Sequence, residues 1–138
     1  MKRRNWLVVG LIAVGALLVG CAQAAPERGE SPVEVQAIPG SSVSRIILTR
    51  EAEGRIGLQT AAVQQNSSMP LAALVYDRQG DTWVYTVAGP LTYVRQHVTV
   101  ARVTGDTVVL RTGPPPGTTV VTVGAAELLG SEYGVAGE

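Results

Sequence analysis

The chain has 138 residues, eleven basic and eleven acidic side chains, no phenylalanine and a single cysteine. A net charge of zero supplies no concentrated basic face for nucleic acid. One cysteine builds neither an intrachain disulfide nor a thiolate metal site, and the length suits one small domain plus a leader.

Residues 1–4 are cationic, and residues 6–20 form an uncharged run of Leu, Val, Gly and Ala that ends at Cys21. This is the pattern of an export signal. The residues Leu18, Val19, Gly20 and Cys21 resemble the lipobox of bacterial lipoproteins. That resemblance implies cleavage after Gly20, diacylglycerylation of the Cys21 thiol and anchoring to membrane lipid. The competing reading is an uncleaved transmembrane anchor, because residues 5–26 carry no charge and nearly reach the length of a membrane span. Cleavage before Cys21 leaves 118 residues, with eight arginines against eleven acids.

Residues 21–42 are rich in Pro, Gly, Ser, Ala and Glu and read as a flexible tether. Within them Val33, Val35 and Ala37 alternate between Pro32 and Pro39, the signature of a short edge strand. Folded structure is expected from residue 43 to 135, with residues 136–138 a disordered C-terminus. A strand over residues 45–48 leads to Thr49, which is placed to cap a brief helix carrying Glu51 and Glu53 in its first turn and Gly57 at its left-handed end. Glu51 and Arg55 stand four apart in the favourable order. Residues 58–63 return to strand, and residues 64–68 (QQNSS) form a polar connector.

Residues 70–101 hold Tyr76, Trp83, Tyr85, Tyr93 and the one histidine, His97. Trp83, Tyr85 and Val87 fall on one face of a strand, and residues 93–100 alternate as a second strand. The segments DRQGD (77–81), AGP (88–90) and TGD (104–106) supply tight turns, the last between strands over residues 98–103 and 107–111. The loop GPPPG (113–117) precedes a strand over 118–123, and residues 125–129 make a last helical turn. Six or seven short strands with one short helix predict a mostly β domain, a small antiparallel β-barrel or β-roll.

In this order and spacing, residues 48–63 and 70–130 resemble the membrane-proximal domain of the periplasmic adaptors, or membrane fusion proteins, of RND-type efflux pumps. The match runs through the Pro-led strand, the aromatic hairpin, the G-D turn and the closing PGTTVVTVGAAELL. Full-length adaptors carry a β-barrel, a lipoyl-like domain and a helical hairpin between these two segments, whereas only residues 64–70 lie between them in this chain. The resemblance therefore implies the part that sits beside an inner-membrane transporter, without the arm that reaches an outer-membrane duct.

Candidate sites are few. His97 would need Asp77, Asp81 or Asp106 to complete a hydrolytic triad, and no nucleophile elbow accompanies it. Met69 is the one methionine after the leader, too few thioethers for a soft-metal shell. No catalytic residue, cofactor or metal ligand is therefore assigned. Trp83, Tyr85 and Tyr93, with Arg95 close by, read either as the core of a small domain or as an exposed partner anchor. The combined expectation is a non-enzymatic, lipid-anchored, extracytoplasmic docking subunit that supports transmembrane transport, possible also as a homo-oligomer. The second reading is a free-standing envelope lipoprotein that binds some other partner.

Overall fold

Alternating apolar residues build a frame of two antiparallel sheets in this computed structural model, which describes residues 31–134. The larger sheet contains β1 (Val33–Ala37), β2 (Ser44–Leu48), β3 (Gln59–Ala62), β5 (Val75–Tyr76), β6 (Thr82–Gly89), β7 (Thr92–His97) and β10 (Thr119–Val123). Its order is β1-β2-β7-β6-β10-β3, with β5 also paired to β6. The smaller sheet is β4 (Ser68–Pro70), β9 (Thr107–Thr112) and β8 (Thr99–Thr104). Two helices, α1 (Arg50–Ile56) and α2 (Ala125–Glu132), complete the fold.

The central strands bury both faces. Neighbouring side chains on a strand point to opposite sides, and Val84, Tyr85, Val120 and Val121 are all 0 % exposed. Tyr85 and Val121 join Ile46, Leu48, Tyr93, Ala52, Ala125 and Leu128 in a core under the helices. Val84 and Val120 join Met69, Val98, Val108 and Leu110 in a second core under the smaller sheet. The result is three layers, helices on one side of the large sheet and three strands on the other.

Local chemistry explains the ends of α1. Thr49 Oγ1 accepts from the Ala52 N–H at 3.2 Å, Glu51 and Glu53 lie in the first turn, and Gly57 closes the helix at φ 67°. The hairpin at Asp77 forms because its carboxylate accepts from the Gln79 and Asp81 N–H groups at 3.0 and 2.8 Å. In the polar connector, Asn66 Oδ1 accepts from both the backbone N–H and the hydroxyl of Ser68. That connector carries the chain from β3 in the large sheet to β4 in the small one.

The fold is mostly antiparallel β, as the strand and turn pattern predicts, with four differences in detail. The sheets do not close into a barrel: β1 and β3 end the larger sheet, and among the described residues neither pairs on its outer side. The strands expected over residues 93–100 and 98–103 overlap in the sequence and are separate in the structure, as β7 and β8. Val98 is fully buried and bonds back to Thr82, and beyond it the chain leaves the large sheet for the small one. The edge strand read at Val33–Ala37 forms, so the sheet starts ahead of residue 43, where folded structure is expected to begin. The closing turn is a full second helix that runs on to Glu132.

Candidate functional site

The strongest concentration of polar chemistry lies where α2 ends on the large sheet. Leu128, fully buried, holds α2 against the core. That contact places Glu132, four residues on, over β2, β6 and β7, with its side chain 4 % exposed. Its carboxylate accepts from the Arg95 Nε–H at 3.0 Å, the Tyr85 hydroxyl at 2.6 Å and the Ser44 N–H at 2.9 Å. Three strands are thereby tied to one helix through a single acid. Arg95, 8 % exposed, would be costly to bury without this counter-ion.

Aromatic rings cover the rest of the guanidinium. Its carbon lies 4.3 Å from the Trp83 ring centre and 5.7 Å from that of Tyr133. The exposed Arg78 stacks on Tyr133 at 4.4 Å. These are cation–π contacts, which compensate in part for lost hydration. Nη1 of Arg95 is buried and has no hydrogen-bond partner among the described residues, so the ring faces are its principal compensation. Trp83 donates its Nε1–H to Asp77 Oδ2 at 2.9 Å, and its ring meets His97 edge-on at 5.2 Å.

Burial raises the Tyr85 hydroxyl far above its ordinary 10.0, reinforced by the hydrogen bond to Glu132 and the charge of that acid and opposed by Arg95. Tyr93 is raised in the same way, by burial and then by its 2.5 Å hydrogen bond to Glu53. Burial also acts to raise Asp77, but the hydrogen bonds from Trp83 and the turn N–H groups outweigh it and hold the carboxyl below 3.8. Both buried tyrosines are therefore neutral donors, and Asp77 is a carboxylate acceptor.

Of the four residues weighed as a partner anchor, Tyr85 is 0 %, Tyr93 2 % and Arg95 8 % exposed. The anchor reading is corrected for these three, because α1 and α2 pack over the face that the hairpin alone would leave open. Trp83 is half-buried. His97 is exposed beside it and makes no hydrogen bond to Asp77, Asp81 or Asp106. Met69 is buried in the second core opposite Val108. Among the described residues, no three His, Cys, Asp or Glu side chains are grouped as metal ligands. Cys21 lies outside the described residues.

Glu132 and Tyr133 are absent from the sequence-derived candidates. The available signal was Gly134, which at φ 73° ends the helix one residue after Tyr133. Extending α2 to that glycine places Glu132 one turn beyond Leu128.

These features define a three-layer, mostly antiparallel β-domain pinned by a buried arginine–glutamate–tyrosine network. No protein-family model matches the chain, and neither a curated protein nor a solved structure matches it.

Proposed function

We propose that the protein is a non-enzymatic docking domain, exported and lipidated at Cys21, that serves as an accessory subunit on a membrane transporter, as the resemblance to RND efflux adaptors implies. The observation that carries this reading is where the fold starts. The sheet begins at Val33, so eleven residues (22–32) separate Cys21 from β1. Those residues, if they behave as a flexible coil, would span about 17–20 Å. A short tether holds the domain against the bilayer and raises its effective concentration at a membrane partner, so that a weak contact is populated. The buried network suits this role, since it fixes the helices rigidly on the sheet and leaves the outer surface to recognise a partner.

Two measurements test the reading. Wild-type protein is expected to take up a fatty-acid probe and Cys21→Ser to lose it; an unlabelled wild type ends the lipid-anchor part. A transporter is expected to co-purify with the detergent-solubilised chain. It should not co-purify with a lipidated variant that lacks residues 33–134, and equal recovery by both would sink the docking part.

A further inference from the structure

Among the described residues β1 pairs on one side only, with β2. Leu48 donates its N–H to Leu91 on the β7 side, while Thr49 donates to Pro32 O on the β1 side at 3.0 Å. Val33 faces Leu48 in the ladder. Because antiparallel ladders alternate, Glu34 and Gln36 bond to β2, and Val33, Val35 and Ala37 direct their N–H and C=O groups outward. The Val33 carbonyl accepts from Ser31 Oγ at 2.7 Å, consistent with that direction. None of these three outward residues is a proline, so each retains its donor.

The side chains of Val33 and Val35 meet a groove of about 640 Å³ on the helix face, walled by Ala52 and Ile56 of α1 and Glu127 of α2. Val35 is 42 % exposed there. Beside an edge that is unpaired among the described residues, this is the geometry of strand addition, in which main-chain bonds give affinity and a flanking pocket takes alternate side chains.

We propose that the added strand is β1 of a second copy, antiparallel about a two-fold axis through Val35. In that register Val35 faces Val35, Val33 faces Ala37, and Glu34 faces Gln36 of the second copy. Every outward-directed residue then meets another one, and each acid meets an amide. The pairing is chemically suited, because Gln36 Nε2 already donates to Glu34 Oε1 at 2.8 Å along the single strand. Shifting the axis to Glu34 sets two glutamates directly opposite each other, which is unfavourable. Shifting it to Gln36 brings Pro39 opposite Val33 and removes a donor. Pro32 and Pro39 thus bound a five-residue strand for which one two-fold register is best. The two copies share one continuous sheet, and Val35 of each enters the groove of the other. This inference stands apart from the transporter reading.

Co-expression of full-length Glu34→Cys and Gln36→Cys chains is expected to yield a mixed disulfide dimer, since these positions form a non-hydrogen-bonded pair with closely spaced side chains. Neither variant alone is expected to link beyond the wild-type level, which controls for Cys21. Val35→Pro removes an outward N–H and the valine side chain but no hydrogen bond to β2, and is expected to abolish the dimer in detergent while leaving circular dichroism unchanged. No mixed disulfide, equal linking within either single variant, or a dimer that persists in the folded Val35→Pro chain would each overturn the proposal. If Val35→Pro fails to fold, the cysteine pair decides the matter alone.

Discussion

At the scale of single residues, Glu132 outweighs its modest place in the sequence. It is the last residue of α2 and the acceptor for three donors from three strands. Glu132→Ala leaves Arg95 buried without its counter-ion, a loss of about 3–5 kcal/mol. Tyr85→Phe removes one hydrogen bond to a charged acceptor and is expected to cost less, about 1.5–3 kcal/mol. Urea denaturation of both variants checks the order. The buried tyrosines also set an alkaline limit. Tyr85 and Tyr93 titrate above 10.0 in the folded chain, so the folded state holds their protons more tightly than the unfolded one. Their contribution is fully present below pH 10 and is lost as the pH rises beyond it. Stability is expected to fall above pH 10, with the phenolate absorbance of these two residues appearing only at higher pH or on unfolding. Ionisation at the ordinary tyrosine pH in the folded protein would contradict this.

At the scale of elements, the contact between α1 and the start of α2 depends on one glycine. Gly124, which opens α2, has φ 92°, and a Cβ there would come within 2.6 Å of Ile56 Cγ2. Gly124→Ala therefore combines a strained backbone with overlap against α1, and a loss of about 2 kcal/mol or more is expected. Gly54, inside α1, has open space around its Cα. Gly54→Ala is expected to stabilise by about 0.5–1 kcal/mol through helix propensity. Denaturant midpoints of the pair should move in opposite directions, and a neutral Gly124→Ala would show that α2 docks differently. The signals for α1 were legible in the chain, since a cap acts through residues within one turn of itself. Those for α2 were only partly so, because its length is decided by where Leu128 and Glu132 find partners on β2, β6 and β7.

At the scale of the whole molecule, β6 and β10 hold two cores together. Val120 and Val121 are sequence neighbours, each fully buried, in different cores. Truncating either to alanine is expected to cost about 2–3 kcal/mol. Both variants should shift the same single unfolding transition, monitored by Trp83 fluorescence and by far-ultraviolet circular dichroism. Two separated transitions would mean that the small sheet unfolds independently of the large one.

The sequence by itself determined the mostly antiparallel β character, the tight turns and the caps of α1. All of these act over a few residues, through backbone preference, side-chain capping or alternation. Tertiary structure alone decided that residues 93–100 divide at Val98 between two sheets, since alternation continues unbroken across a strand that changes partners. It also decided the role of the aromatic face. Trp83, Tyr85, Tyr93 and Arg95 share one side of a hairpin in either reading, and nothing within the hairpin states whether that side is covered. The cover comes from Ala52, Leu128 and Glu132, in helices far along the chain, and the burial of a charge becomes tolerable only where its counter-ion is delivered.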